Sequence, residues 1–204
     1  MTKVDFKKTL KHLYIPPKKF VTVEVPLMQF LKVDGHGDPN SAQEYQDAVE
    51  ALYAVAYKIK FFSKKALEKD YTVPPLEGLW WAEDMRSFIT REKSEWDWTM
   101  MIMTPEWISD EIYTDAVKQV RKSKNPISLD KVRLQDYDEG LSVQIMHIGS
   151  YDDEGPVLAK MHNDYIPENG FVERGKHHEI YLSDPRRVVP EKLKTVLRQP
   201  VKKK

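Results

Sequence analysis

The chain has 204 residues, no cysteine, 32 Lys+Arg against 32 Asp+Glu, and is 41% hydrophobic and 31% charged. That is the composition of one ordinary globular domain or two small modules, and it excludes a disordered chain, a disulfide scaffold, thiolate chemistry and cysteine-based zinc sites. A net charge of +0 argues against a nucleic-acid field over the whole protein, and the basic runs "PPKKF" and "VKKK" read as solvated segments. The start has no apolar signal-like region and no stretch approaches 18 apolar residues, so neither a signal peptide nor a membrane span is expected; a cytoplasmic location is the simplest expectation.

Residues 1–17 are polar and interrupted by proline, and read as an N-terminal extension. From Phe20, "FVTVEVPLMQFLKVDG" alternates as a strand does, with Pro26 marking an edge or bulge. After the loop "GHGDPNS", Ser41 and Glu44 form an S-x-x-E capping box. A helix then runs to about Leu67 with Tyr45, Ala48, Val49, Leu52, Ala56 and Ile59 on one stripe. "DYTVPPLEGLWWAED" turns into a strand, and "EWDWTMMIMT" is a second, joined to it by the charged connection Asp84 to Ser94. Thr104 as N-cap and Pro105 in the first turn predict a helix over 105–122, which "RKSKNP" ends. "KVRLQDYDEG" and "LSVQIMHIGS" read as strands. "YDDEGP" leads into a helix with Leu158, Met161 and Tyr165 inward, and "HHEIYLSD" and "KLKTVLRQPV" are the last strands.

The pattern restarts halfway. "QFLKVDGHGDPNSAQEYQDAV" and "QIMHIGSYDDEGPVLAKMHND" share an order of apolar strand, glycine, acidic loop and helix, each followed by two strands. The chain therefore reads as two β-α-β-β units, about 18–104 and 129–204, joined by the 105–122 helix. The fold class is α+β: a pseudo-twofold antiparallel sheet with helices on one side and a ligand groove on the other.

Familiar catalytic signatures are missing. The six histidines form no H-E-x-x-H and no facial triad, and His177 and His178 are strand neighbours that point to opposite faces, so no metal is expected. There is no G-x-S-x-G or phosphate-binding loop, and "GHG" lacks the third glycine of a dinucleotide turn, so no cofactor is expected. The tryptophans are more informative. Trp80 and Trp81 share one strand and Trp96 and Trp98 the next, and four such rings cannot all point into one core. An aromatic face without a ligand would invite aggregation. By alternation His177, Glu179 and Tyr181 share a face, while Ile180 and Leu182 share the other. The apolar pair then belongs to the helix-covered core, so Glu179 and Tyr181 face the opposite side, which is either the groove or open solvent. In an aromatic groove a partly desolvated carboxylate would attract cations or act as a base.

These residues carry a resemblance. "QFLKVDGHGDPN", "PLEGLWW", "WDWTMMIMTPEWI", "MHIGSYDDEGPVLAKMH", "HHEIYLSDPRR" and "EKLKTVLRQPV", in this order and spacing, make the chain from about Lys18 onward resemble the stand-alone GyrI-like proteins. These are relatives of the gyrase-inhibitory protein and of the BmrR and Rob effector-binding domains. The resemblance implies paired β-α-β-β units around a groove, with Glu179 in the position of a carboxylate that binds lipophilic cations in drug-sensing relatives. Some stand-alone members hydrolyse the cyclopropane of planar DNA-alkylating cyclopropanoid compounds. Carried onto this chain, Glu179 would be the base, Tyr181 its hydrogen-bond partner, and Trp80 or Trp81 with Trp96 or Trp98 the stacking walls. Only about twenty residues precede the first strand, too few for the helix-turn-helix module of regulator relatives, so direct operator binding is not expected. Three readings follow: a cyclopropane hydrolase, a non-catalytic binder of planar or cationic lipophilic molecules, and a gyrase-interacting protein.

Overall fold

The computed structural model describes residues 2–84 and 86–204. Two short helices, α1 (Phe6–Thr9) and α2 (Lys11–Tyr14), precede β1 (Val21–Val25), β2 (Met28–His36), α3 (Gln43–Ala66) and β3 (Leu76–Trp81). The first half closes with α4 (Arg86–Thr90), β4 (Asp97–Thr104) and α5 (Asp110–Ser123). The second half holds β5 (Arg133–Tyr137), β6 (Gly140–Ile148), α6 (Gly155–Lys160), a π-helical turn (Met161–Tyr165), α7 (Ile166–Glu168), β7 (Phe171–Glu173), β8 (His177–Tyr181) and β9 (Lys194–Lys203). The charged connection between the two tryptophan strands is thus partly helical; its Met85 lies outside the described residues.

Three local expectations are corrected. The alternating run after Phe20 is two strands, because Pro26 has no N–H to give a ladder and the chain turns there. The Ser41–Glu44 capping box does not form: Ala42 caps α3 without a side-chain bond, Asp38 holds the preceding turn, and Glu44 instead meets Lys131 at 2.6 Å. Thr104 ends β4, its hydroxyl donating to Gln29 Oε1 at 2.9 Å. The helix begins later, with Ser109 Oγ accepting from Ile112 N–H.

The described strands form one antiparallel sheet in the order β1-β6-β9-β8-β3-β4-β2-β5, with β7 paired to β9. The units β2-α3-β3-β4 and β6-α6-β8-β9 meet at the β3–β8 pair, where the pseudo-twofold axis falls. Each half also lends a strand to the other: β1 pairs with β6, and β5 with β2. The α+β class and the antiparallel sheet of paired units are those expected.

The position of the groove is different. Helix α3 packs its apolar stripe on Leu31, Val33, Trp98, Met100 and Ile102, and the α6–α7 segment covers Val143, Ile145 and Leu197 on the same face. Each helix covers its own unit, so the β3–β8 seam between them stays open on the helical face. The opposite face is closed by residues 6–14: Leu13 and Tyr14 pack on Val25, Met146, Ile180 and Val196, and Phe6 and Leu10 on Phe30, Leu79, Met101 and Met103. The groove therefore lies between the helices, on their side of the sheet.

That closed face contains a charged cluster. His178 lies between Glu77 Oε2 (3.0 Å) and Glu139 Oε1 (2.8 Å), and Arg198 donates to Glu139 Oε2 (3.0 Å), to Gln144 and to the Leu13 carbonyl. Tyr14 donates to Glu77 Oε1 at 3.1 Å. Both ring nitrogens of His178 meet carboxylates, so both must donate and the ring is an imidazolium. Burial alone would lower its pKa; Glu139 and then Glu77 outweigh that and lift it to about 8.

Candidate functional site

The seam opens into a cavity of about 1000 Å³. Its floor is set by strand register: Leu76 lies opposite Tyr181, Gly78 opposite Glu179, and Trp80 opposite His177. Paired residues of an antiparallel ladder share a face, so these side chains converge. A Cβ on Gly78 would sit 2.8 Å from Trp80 Nε1; the missing side chain gives the indole room beside Glu179. Trp80 Nε1–H donates to the Tyr181 hydroxyl at 2.9 Å, and that hydroxyl donates to Glu179 Oε2 at 2.7 Å. The hydrogen bonds run in one direction, Trp80 to Tyr181 to Glu179. The other carboxylate oxygen lies 3.4 Å from His177 Nε2, and both His177 nitrogens lack a full hydrogen-bond partner among the described residues.

The walls come from opposite halves. Tyr45 and Tyr53 project from α3, while Tyr151 and Glu154 come from the turn before α6. Tyr45 stacks toward Trp80 (centroids 6.4 Å) and meets Trp98 edge-on at 5.3 Å, and Tyr151 meets Tyr181 edge-on at 5.7 Å. Trp96 stacks on Phe88 at 4.5 Å and stands edge-on to Trp80 at 5.9 Å. Burial, then the charge of Glu179, hold the Tyr181 phenol well above its usual range, so it remains a donor. Burial and the nearby Glu154 and Glu179 push Tyr151 up to about 12. Glu154 is 4% exposed, and its Oε1 has no partner among the described residues. Burial first, and Glu179 second, raise its pKa well above the carboxylate range.

Four of the six residues singled out from the sequence meet here: Glu179, Tyr181, Trp80 and Trp96 line the cavity. Two do not. Trp81 follows Trp80 by one residue and so points to the other face of β3, where Lys176 lies over its ring. Trp98 shares the face of Trp80 but is fully buried beneath Tyr45, in the space left by Gly35, with Nε1 donating to the Gly37 carbonyl at 3.3 Å. The sequence reading missed Tyr53, Tyr151 and Glu154, placed His177 on the face of Glu179 without giving it a role, and assigned Tyr45 to the core stripe. A helix stripe and an acidic turn give no sign of a cavity between them.

A pseudo-twofold sheet whose seam encloses an aromatic, carboxylate-bearing cavity defines a small-molecule-binding domain. Residues 19–202 match the GyrI-like small molecule binding domain, and the chain belongs to that family. It is similar to the crystal structure of an uncharacterized conserved protein from Listeria innocua, with 42% identity and a TM-score of 0.91 over 98% of this chain and 100% of that one. It is also similar to a hydrolase from Listeria innocua, with 41% identity and a TM-score of 0.89 over the same shares. The C-terminal domain of EcmrR shares the fold at 10% identity, TM-score 0.57, over 91% of this chain and 98% of that one. No curated protein matches the sequence. No helix among the described residues is long and apolar enough to cross a membrane.

Proposed function

We propose that the protein is a hydrolase that opens the cyclopropane of planar, DNA-alkylating cyclopropanoid compounds with water, protecting the cell that contains them. The one-way hydrogen-bond chain from Trp80 through Tyr181 to Glu179, at the floor of an aromatic cavity, carries this reading. It fixes one carboxylate oxygen as an acceptor and leaves the other 3.4 Å from His177 Nε2. A base needs that arrangement to orient a water and take its proton. Tyrosine and tryptophan rings on two sides suit a flat substrate. The description of the 41%-identical Listeria innocua protein as a hydrolase agrees with turnover.

The test is incubation with a cyclopropanoid alkylator, followed by mass spectrometry for the addition of water. Glu179→Gln keeps the shape and should bind the compound with unchanged affinity while turnover falls about 10²–10⁴-fold, the usual contribution of a general base. Unchanged turnover would remove Glu179 from the chemistry.

A second reading, sequestration of lipophilic cations without turnover, is favoured by Glu179 set among aromatic faces. It makes a different prediction for the same variant: Glu179→Gln should weaken a flat cation by about 1.5–3 kcal/mol, the value of a charge-assisted hydrogen bond. Quenching of Trp80 and Trp96 fluorescence reports that affinity.

A further inference from the structure

We propose that the ion pair between Arg91 and Asp152 is a salt-sensitive latch: it ties residues 86–95 to the second half of the protein across the seam, and its release opens the cavity for small molecules to enter and leave. The inference does not depend on turnover, since a cavity that only binds its ligand must also exchange it.

Residues 86–95 supply part of the cavity wall. Phe88, Arg91, Lys93 and Trp96 line the cavity. Phe88 stacks on Trp96, whose Nε1–H donates to the Ser87 carbonyl at 3.3 Å, so these side chains form one unit. Phe88 and Trp96 give the segment its apolar contact with the first half. Its polar contacts are fewer. Among the described residues, the hydrogen bonds and ion pairs of 86–95 stay within 84–96, apart from those to Asp152. Arg91 donates to the Asp152 carbonyl at 3.2 Å and to its carboxylate, and Lys93 Nζ lies 3.8 Å from the same carboxylate. Asp152 belongs to the other half, in a turn that is held firmly. Tyr151 meets Tyr181 edge-on, His147 Nε2 lies 3.1 Å from the Ser150 carbonyl, and Ser150 Oγ donates to Asp153 Oδ2 at 2.6 Å. The tie therefore joins a lightly held wall segment of one unit to a fixed turn of the other.

The tie is made where the backbone resists it. Helix α4 ends with the Glu92 N–H donating to the Ser87 carbonyl at 2.9 Å, a closure in which the residue before Glu92 is left-handed and usually glycine. Here that residue is Arg91, with φ 59°. A side chain is disfavoured on this backbone, and Arg91 supplies the guanidinium that crosses the seam. Both partners face solvent, with side chains 46% and 72% exposed for Arg91 and Asp152, so the pair is weak and is screened by salt. A weak attraction set against a disfavoured backbone leaves the closed and open arrangements close in free energy, as in segments that open locally. Release of the pair lets Arg91 leave the left-handed region, and Phe88 and Trp96 move with it.

Labelling with 5-fluorotryptophan gives one ¹⁹F resonance for each of the five tryptophans, assigned by single Trp-to-Phe variants. The neutral nitroxide TEMPOL is the probe, because it broadens the resonances it can approach. Trp80 lies at the cavity floor, 4% exposed, and Trp98 is fully buried beneath it. Raising NaCl from about 0.02 M to about 0.5 M shortens the screening length from about 20 Å to about 4 Å, and should broaden Trp80 at least about threefold more while Trp98 stays unchanged. Asp152→Asn should show the high-salt broadening already at low salt and respond to salt no further. Arg91→Gly suits the helix end, so it should melt no lower than the parent and yet expose Trp80 in the same way. Amide hydrogen exchange over 86–96 should quicken about tenfold with each of these changes, while β8 and β9 stay protected. Salt-independent broadening of Trp80 in the parent, or variants that keep the parent's broadening and exchange, overturn the latch. Broadening that reaches Trp98 also overturns it, because it marks loosening of the whole half.

Discussion

Tyr181 is the residue on which the site geometry turns, because it is acceptor to one neighbour and donor to the other. Tyr181→Phe leaves Trp80 Nε1–H and one oxygen of Glu179 without their partners. The expected cost is about 1–3 kcal/mol of stability, from buried polar groups left unpaired, together with a lower kcat and little change in KM; denaturant melts and steady-state kinetics measure these separately. Gly78→Ala disturbs the same chain from the other side. The new methyl would meet Trp80 Nε1 at 2.8 Å and Met100 Sδ at 3.2 Å, moving the indole off Tyr181. A loss of about 1–3 kcal/mol, typical of overpacking, and a changed tryptophan emission spectrum are expected. Strand alternation made Glu179 and Tyr181 legible in the sequence, because the period of two fixes a face once Ile180 and Leu182 are given to the core. It separated Trp80 from Trp81 equally well, but not which of them looks into the cavity. Glu154 was illegible: it is one of three acidic residues in a turn, and nothing local distinguishes the one that folds inward.

Strands β3 and β8 each serve two environments. Their cavity faces carry Trp80, Glu179 and Tyr181, and their reverse faces carry Glu77 and His178 in the buried ionic cluster. The cluster holds two carboxylates and two cations, so it is neutral as a set, and loss of one member leaves an uncompensated buried charge. His178→Leu should destabilise by about 3–5 kcal/mol. Its pH dependence follows from the direction of each shift. His178, lifted from 6.5 to about 8, contributes fully below pH 6.5, and the contribution is lost as pH rises through 8. Glu139 is the opposite case: burial would raise it, but His178 and Arg198 bring it down to about 2. Its contribution is present above pH 4.5 and lost as pH falls toward 2. The urea midpoint should therefore be greatest between about pH 4.5 and 6.5, and Glu139→Gln should flatten the acid side of the curve. None of this cluster could be read from the sequence, since its members are separated by as many as 121 positions, from Glu77 to Arg198. The elements that hold them were legible because each is long or strongly alternating.

Across the whole molecule, the internal repeat was visible in the sequence, and the strand exchange between its halves was not. Order along the chain reveals a repeated unit; it does not reveal that Pro26 redirects β1 away from β2 toward β6. The N-terminal residues illustrate the same limit. A polar, proline-broken start looks dispensable, yet Leu13 and Tyr14 are buried and the Leu13 and His12 carbonyls accept from Arg198 and Gln144. A variant lacking residues 1–16 would expose the ionic cluster to water and strip the apolar cover from Ile180 and Met146. It should lose several kcal/mol of stability, and hydrogen exchange at β8 and β9 should rise first.

The exchanged strands also decide what becomes of the chain if it is cut. A break after α5, near Asn125, leaves fragments that must find one another to complete three ladders: β1 with β6, β2 with β5, and β3 with β8. Neither piece has a closed sheet of its own, and the cavity is assembled only when both are present. Fused to the halves of a reporter, such fragments would join through the very seam that encloses the ligand, so small molecules that fill it would register as complementation.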